Sequence, residues 1–215
     1  HIMASLHYLI QEPKVKKDKN PLLLLLHGYG SNEEDLFSFA SELPDDCYVI
    51  SAKAPYPLQP YGNAWYAIHF DAAQNKFSDN EQAIKSRNLV VTFLDELCDL
   101  HDIDKENISL IGFSQGSILS FSIALSYPQK IKNVVALSGY LNTNLVKKTP
   151  LINTHKVNYF IAHGTQDQVI PVDWARKTIP FMEAYNQNFE YNEYPIGHGV
   201  SPKVFMDFKN WLSKN

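Results

Sequence analysis

The amino-acid sequence predicts an α/β fold in which helices cover both faces of a mostly parallel central sheet. Apolar runs of the kind found in buried strands alternate along the chain with segments whose apolar residues recur at helical spacing. Polar clusters that contain glycine directly follow several of these runs, as loops do at the carboxyl edge of a parallel sheet. The 215 residues are 45% hydrophobic and 20% charged, so we expect one globular domain over residues 1–215.

Short apolar runs bounded by polar or turn residues predict the strands. The first run, Leu6–Gln11, is a candidate edge strand and precedes a charged turn at Lys14–Asn20. Pro21–Leu26 contains five consecutive leucines, which is typical of a strand covered on both faces. The remaining runs predict strands at Cys47–Ser51, Asn107–Ile111, Ile131–Leu137, Val157–Ala162 and Phe189–Tyr194.

Apolar residues that recur three and four positions apart predict the helices. The first helix follows Asn32, because this cap residue and the acids at Glu33–Asp35 precede an apolar face. Asp79–Leu100 is the longest helical pattern in the chain. Further helices are predicted at Gln115–Tyr127, which Pro128 ends, at Trp174–Asn186 despite Pro180, and at Lys203–Leu212.

Composition limits the classes of partner. With 19 basic and 23 acidic residues the net charge is −4, and no basic run extends beyond Lys14–Lys19, so we expect no nucleic-acid partner. Cys47 and Cys98 are the only cysteines, which argues against a disulfide framework or a cysteine-rich metal site. A reducing cytoplasm is therefore the expected location.

We expect no targeting segment. Leu22–Leu26 is far too short to span a bilayer, which predicts no stable membrane insertion. His1 and Ile2 resemble a remnant of an expression vector ahead of a start at Met3, and a signal peptide trimmed from a secreted precursor would leave no trace.

Gly112–Gly116 carries the strongest chemical signal, because Ser114 lies between two glycines directly after an apolar run. A serine at the apex of a sharp strand-to-helix turn, called the elbow below, is a typical acyl-transfer nucleophile. Side chains at Gly112 and Gly116 would collide where strand and helix cross, so only the smallest residue fits there. The segment therefore predicts a serine hydrolase with Ser114 as nucleophile.

A serine nucleophile needs a base within hydrogen-bond reach and an acid that orients that base. Among eight histidines, His198 is flanked by glycines between a strand and a helix, and the chain order Ser, Asp, His favours it. His27 and His163 abut strand ends and are expected to brace turns. Asp167 follows a predicted buried strand and is the expected acid; its rival Asp173 better suits a helix cap.

Acyl transfer also needs hydrogen-bond donors for the developing oxyanion. The backbone N–H of Gln115, directly after the nucleophile, is one expected donor, and that of Tyr29 in a glycine-rich loop is the other. The Tyr29 side chain could instead form a wall of the pocket. Pro55–Trp65 is too proline-interrupted for regular structure, and its aromatic residues either cover the site or pack on the core.

Five segments form an ordered set that extends over nearly the whole chain, from about Leu22 to Trp211. They are Leu26–Gly30, Gly112–Ser117, Leu137–Leu141, His163–Pro171 and Gly197–His198. Together they resemble the phospholipase/carboxylesterase family of α/β-hydrolases, a group that includes acyl-protein thioesterases and small bacterial carboxylesterases.

The resemblance implies an α/β-hydrolase fold with a minimal cap domain or none. It implies a catalytic triad of Ser114, Asp167 and His198, with the amides of Tyr29 and Gln115 as oxyanion donors.

The family also has a tryptophan-aromatic pair after a proline-rich loop near its site. Trp65 and Tyr66 match that pair, which makes them, with Tyr61, candidate substrate-binding residues. One departure is Tyr29–Asp35, which replaces the Gly-Asp-containing turn of the eukaryotic thioesterases and favours a bacterial-type esterase over a protein depalmitoylase.

No charged cluster points to a phosphate or carboxylate head group. The prediction is a serine carboxylesterase that forms an acyl-enzyme on Ser114. Its expected small-molecule partners are neutral esters of short to medium chain length, and no metal or cofactor is expected. An acyl thioesterase or lysophospholipase with the same triad is the alternative. A dienelactone-type hydrolase would need a cysteine at the elbow, and a non-catalytic binding module would have no reason to keep the triad.

Exposed aromatic residues that dock a second copy would give a homodimer.

Overall fold

The computed structural model describes residues 4–70, 72–73, 76–148 and 157–215, without the side chain of Lys76. In chain order the strands are β1 (Tyr8–Gln11), β2 (Asn20–Leu26), β3 (Tyr48–Ala52), β4 (Tyr56–Pro57), β5 (Asn63–Ala64), β6 (Ile68–Phe70), β7 (Lys76–Ser78), β8 (Ile103–Phe113), β9 (Asn133–Leu137), β10 (Asn158–Gly164) and β11 (Asn188–Tyr194). The α-helices are α1 (Asn80–Leu100), α2 (Gln115–Ser126), α3 (Val172–Arg176), α4 (Thr178–Ala184) and α5 (Pro202–Lys214). Short 3₁₀ helices lie at Leu36–Glu42, Pro128–Lys130 and Thr143–Leu145.

Within these residues, seven strands form one sheet in the order β1-β3-β2-β8-β9-β10-β11. Neighbouring strands are parallel except for β1, which pairs antiparallel with β3 at the edge. The predicted mostly parallel sheet and its first edge strand are confirmed. The chain runs from β2 outward to β3 and later returns beside β2 as β8, so the strand order reverses between β2 and β8. Ligands of such sheets bind at the carboxyl ends of the strands at this reversal.

Helices cover both faces of the sheet, as predicted, because the side chains of a strand alternate between the faces. Leu22, Leu24 and Leu26 of β2 pack into a core that also holds residues of α1, α2 and α4. Leu23 and Leu25 point the other way, into a second core formed with the Leu36–Glu42 helix and α5. The run of leucines is thus buried on both sides. No separate cap domain is evident in the described chain.

Two helix predictions are wrong in detail. The segment after Asn32 forms a 3₁₀ helix that begins only at Leu36, because the Asn32 side chain accepts a hydrogen bond from Glu34 N and closes a tight turn instead of capping a helix. Trp174–Asn186 is not one helix but the end of α3, a break at Lys177, and α4. Pro180 has no N–H to continue a helix and sits in the first turn of α4, where no donor is needed.

Other differences are smaller. β8 begins at Ile103, earlier than the predicted Asn107, because a polar extension pairs with Asn20 before the apolar part starts. Pro55–Trp65, expected to lack regular structure, contains the two-residue antiparallel pair of β4 and β5. The predicted Asn142–Thr154 loop includes one 3₁₀ turn, and its residues 149–156, like residues 1–3, lie outside the described part.

Candidate active site

Ser114 lies at a sharp turn between β8 and α2. Its φ of 55° is in the left-handed region, which a residue with a side chain rarely adopts. A Cβ added to Gly116 would lie 2.0 Å from Leu26 O, and one added to Gly112 would lie 2.3 Å from Gly116 O. Strand and helix therefore cross too closely for any side chain at either glycine.

The structure brings Ser114, His198 and Asp167 together above the carboxyl end of the sheet. His198 Nε2 lies 3.0 Å from Ser114 Oγ, and His198 Nδ1 lies 2.7 Å from Asp167 Oδ2. The Asp167 side chain is fully buried, whereas the His198 ring is partly exposed. This arrangement can move a proton from the hydroxyl to the ring while the carboxylate holds the ring's orientation.

Backbone groups hold the acid in place. Asp167 Oδ1 accepts hydrogen bonds from Val169 N at 2.9 Å and Ile170 N at 2.8 Å. The loop that carries His198 packs directly on this turn, because a Cβ at Gly164 would lie 2.3 Å from Gly197 O. Only glycine at position 164 lets the two loops approach closely enough for the acid to reach the imidazole.

Gln115 and Tyr29, whose amides are the expected oxyanion donors, belong to backbone segments next to the serine. Gln115 is the first residue of α2, and N–H groups in the first turn of a helix have no partner within the helix. Tyr29 follows Gly28, where a Cβ would be only 3.3 Å from Ser114 Cβ. Both residues line the same cavity as Ser114.

The cavity has a volume of about 690 Å³ and contains Ser114 and His198 in its wall. Much of the rest is apolar or aromatic and comes from the β6–β7 hairpin, the end of β8, α2, the loop before α3 and α3 itself: Ile68, Phe70, Phe77, Phe113, Ile118, Val169, Ile170 and Trp174. Asp35 lies at the cavity, and no lysine or arginine does among the described residues.

Three hydroxyl groups form one polar part of the wall. Tyr66, Ser78 and Tyr140 line the cavity, and both tyrosines hydrogen-bond with Ser78. Burial raises the pKa of Tyr66 and of Tyr140, so both stay neutral. This part of the wall offers a substrate uncharged hydrogen-bonding groups.

His27, a buried histidine near the site, braces a turn, as expected. His27 Nδ1 donates to Gly28 O, and its Nε2 accepts from Ala54 N. Burial is the main cause that lowers the pKa of His27, so the ring is neutral. Asp173, the rival acid, lies on α3 with its carboxylate 3.3 Å from Arg176 Nη1.

Within the described residues, no three His, Cys, Asp or Glu side chains are grouped so that they could hold a metal ion. None of the described helices is both long enough and apolar enough to cross a membrane.

The chain matches the family model described as Phospholipase/Carboxylesterase over residues 7–215. It belongs to that family. Acyl-protein thioesterase 1 of Mycosarcoma maydis is 26% identical over 237 residues, covering 99% of this chain and 98% of the relative. Carboxylesterase SOBER1 of Arabidopsis thaliana is 23% identical over 205 residues, covering 89% of each chain.

Solved structures have the same fold. The crystal structure of the Bacillus cereus carboxylesterase superposes with a TM-score of 0.83 at 26% identity, covering 98% of this chain and 95% of that one. Acyl-protein thioesterase 2 of Zea mays superposes with a TM-score of 0.79 at 21% identity, covering 97% and 98%. The predicted α/β-hydrolase fold is confirmed, and the chain is a hydrolase of the phospholipase/carboxylesterase family.

Two of the three candidate substrate-binding residues do not lie at the cavity of this family member. Tyr66 lines the cavity, but Trp65 is 0% exposed beneath it, where its indole N–H donates to His27 O. Tyr61 is 79% exposed and lies outside the lining. Neither Trp65 nor Tyr61 lies in the wall of the cavity, because Trp65 has its polar partner in the core and Tyr61 points to solvent.

Sequence reasoning missed a second role of Gln115. Its side chain accepts a hydrogen bond from Trp65 N at 2.7 Å and donates one to Tyr66 O at 2.9 Å. The buried side-chain amide of Gln115 thus links the elbow to the backbone of Trp65 and Tyr66. A long polar side chain directly after the nucleophile, in a helix whose other residues are apolar or small, was the available signal. Nothing local in the sequence pointed to Tyr140 or Trp174.

Proposed function

We propose that this hydrolase cleaves neutral carboxylic esters by two-step acyl transfer, with Ser114 as nucleophile, His198 as general base and Asp167 as the group that orients the imidazole. One observation carries the proposal: the His198 ring lies 3.0 Å from the serine oxygen on one side and 2.7 Å from the carboxylate on the other. Such a constellation activates a hydroxyl that is otherwise barely acidic.

In the first step Ser114 Oγ attacks the carbonyl carbon while His198 Nε2 takes its proton. The oxyanion that forms faces the amides of Tyr29 and Gln115, which are fixed before the reaction starts. The imidazolium then protonates the leaving alkoxide, and the acyl group stays on the serine. In the second step His198 takes a proton from water, which attacks the acyl-enzyme, and then returns this proton to Ser114 Oγ as the acid is released.

The lining of the cavity supports neutral substrates of short to medium chain length. Its aromatic and aliphatic side chains favour an acyl chain, and the hydroxyls of Tyr66, Ser78 and Tyr140 remain uncharged. No described lysine or arginine lies there to bind a phosphate or carboxylate group.

Thioester or lysophospholipid hydrolysis is the second candidate. It is favoured by the similarity to acyl-protein thioesterase 1 of Mycosarcoma maydis, which extends over 99% of this chain. The same triad would act, because both reactions pass through an acyl-serine. A non-catalytic binding module is disfavoured, since the three side chains are at hydrogen-bonding distance.

The decisive test uses 4-nitrophenyl esters of graded chain length together with long acyl thioesters and lysophospholipids. Ser114→Ala should lower kcat by about 10⁴- to 10⁶-fold without changing stability. Ser213→Ala, an exposed serine on α5, is the matched control. A fluorophosphonate should label the wild type and the control but not Ser114→Ala. If Ser114→Ala kept more than about a tenth of the activity, the mechanism would be wrong.

The expected location and assembly stay predictions. Cys47 is buried and Cys98 half-buried, and both are free thiols, which suits the cytoplasm. A homodimer docked through exposed aromatic rings is tested by light scattering over a range of concentrations.

A further inference from the structure

His163 is a second imidazole in contact with the acid of the triad. It lies in β10, just before the turn that carries Asp167, and its side chain is fully buried. Its Nε2 lies 2.8 Å from Ile170 O and 3.3 Å from Asp167 Oδ2. The carboxylate oxygen that faces His198 therefore also faces His163.

The surroundings of the His163 ring indicate which of its two nitrogens carries the proton. A carbonyl oxygen only accepts hydrogen bonds, so Nε2 must carry the proton that faces Ile170 O. Nδ1 is buried and has no hydrogen-bond partner in the described structure. A proton on Nδ1 would be a buried, unpaired donor, so we assign the lone pair to that nitrogen. His163 thus presents one N–H to two oxygens.

That N–H holds the acid by two routes. Directly, it places a positive dipole end beside Asp167 Oδ2. Indirectly, it holds the carbonyl of Ile170, whose own N–H binds Asp167 Oδ1 together with Val169 N. Without it, one oxygen of the carboxylate would keep only His198 as a neighbouring donor, and the turn would lose an anchor.

We propose that His163 is a positioning residue of the triad, which holds Asp167 in the orientation that keeps the His198 ring aligned with Ser114. The inference rests on the proposed function of that triad. Bracing a turn alone does not require contact with a carboxylate, as His27 shows: it also follows a strand and bonds Gly28 O and Ala54 N, neither of which is a carboxylate.

Three variants test the proposal. His163→Leu removes the N–H and keeps an apolar core. His163→Gln keeps an amide N–H near the position of Nε2, and His163→Asn keeps the polarity on a shorter side chain that cannot reach there. His101→Leu is the control, since His101 bonds Tyr8 near the opposite edge of the sheet.

We expect His163→Leu and His163→Asn to lower kcat about tenfold with KM unchanged, because an orientation lost after binding slows only the chemical step. His163→Gln should recover most of kcat. The far-downfield proton NMR signal of the Nδ1–H between His198 and Asp167 should broaden or vanish in the first two variants and persist with Gln. His101→Leu should keep both kcat and the signal.

Unchanged kcat and an unchanged NMR signal in a folded His163→Leu protein would overturn the proposal. If that variant does not fold, His163→Asn decides in the same way. Equal losses in the Asn and Gln variants would mean a merely structural residue. An active Ser114→Ala protein would instead refute the proposed function itself, so the two failures are distinguishable.

Discussion

Ser114 occupies a strained backbone conformation that its neighbours impose. Its N–H donates to Leu137 O at 2.8 Å, and its carbonyl accepts from the first turn of α2. Strain of this kind persists only where contacts with the surrounding structure hold the backbone in place. Gly116 makes such contacts possible, because without a side chain it lets α2 begin directly against the backbone of β2.

Gly116→Ala should therefore be severely destabilising. The new Cβ would lie 2.0 Å from Leu26 O, a backbone atom at the end of the interior strand β2 that cannot move aside. We expect a loss of at least about 3 kcal/mol in the free energy of unfolding, measured by urea denaturation. Gly199→Ala is the control, because a Cβ there meets nothing within 4 Å. Equal stability of the two variants would contradict the steric account of the elbow.

Gln115→Leu should weaken the link between elbow and wall. The variant leaves Trp65 N and Tyr66 O buried without their side-chain partner, which we expect to cost about 2 kcal/mol of unfolding free energy. Because Tyr66 lines the cavity, the ratio of kcat/KM between short and medium acyl esters should also change. Gln11→Leu, which removes one bond to Ala40 O, should change stability less and the ratio not at all.

Residues defined by local chemistry could be predicted, whereas those defined by packing could not. Ser114 and His198 are marked by flanking glycines and chain order, which are visible in the sequence. Trp65 and Tyr61 have the same aromatic character in the sequence, but one is buried and the other exposed. Which aromatic ring reaches the cavity depends on contacts between distant segments, and the sequence pattern does not contain them.

Three side-chain amides, at the first residues of β9, β10 and β11, form a hydrogen-bonded row with the hydroxyl of Ser109 in the middle of β8. The Asn188 side chain donates to Asn158, Asn158 donates to Asn133 at 3.0 Å, and Asn133 donates to Ser109 at 3.2 Å. In-register pairing places these residues side by side. This row joins β8 to β11 at the end of the sheet opposite the active site.

Asn133→Ala should therefore separate stability from activity. Asn133 is buried within the row, and its loss removes the acceptor of the Asn158 side-chain N–H and the donor to Ser109 Oγ. We expect a loss of about 1–3 kcal/mol in unfolding free energy with kcat unchanged. Asn210→Ala, on the exposed side of α5, should be neutral in both measurements. A large fall in kcat at wild-type stability would show that the two ends of the sheet are coupled.

An ion pair between β11 and α3 makes stability depend on pH. Arg176 donates to both oxygens of Glu193 at 2.8 Å, and these hydrogen bonds lower the pKa of Glu193 to about 2 from 4.5. Because the folded pKa is the lower one, the stabilisation is complete above 4.5 and is lost as the pH falls towards 2.

Glu193→Gln should lower the unfolding free energy by at most about 1 kcal/mol near neutral pH, since the pair is exposed to solvent. The difference from the wild type should shrink as the pH falls from 4.5 towards 2 and disappear below that. Thermal unfolding at several pH values measures it. A difference that stays constant over this range would assign the effect to packing and not to charge.

Elements with a strong apolar period were predicted well, and those shaped by caps and proline were not. The prediction of Asp79–Leu100 differs from α1 only by its cap residue, because Asp79 accepts from Gln82 N. The division between α3 and α4 at Lys177 follows from Pro180, whose effect depends on its position within a turn. Periodicity measures burial along one face, but it does not say where a helix must restart.

The sheet assembles the site from loops that are far apart in the chain. Gly28 and Ser114 follow neighbouring strands β2 and β8, while Asp167 and His198 follow β10 and β11. Alternation of strands and helices was enough to predict this convergence at one edge. The small hairpins β4–β5 and β6–β7 could not be predicted, because strands of two or three residues have no measurable period.

The charge of the whole molecule should select substrates. The net charge is −4, and Asp35, held by a hydrogen bond from Ser31 Oγ, lies at the cavity. No described lysine or arginine lines that cavity to compensate. A negative potential concentrates cations at a cleft and repels anions.

We therefore expect kcat/KM to be higher for an aminoalkyl ester than for a carboxyalkyl ester of the same acyl group, by about two- to tenfold at low ionic strength. The ratio should fall towards one as salt is added, because exposed charges are screened over about 10 Å at 0.1 M. Asp35→Asn should reduce the ratio, whereas Asp18→Asn, an exposed aspartate outside the cavity lining, should leave it nearly unchanged. A ratio that is insensitive to both salt and Asp35→Asn would mean that shape, and not charge, selects the alcohol group.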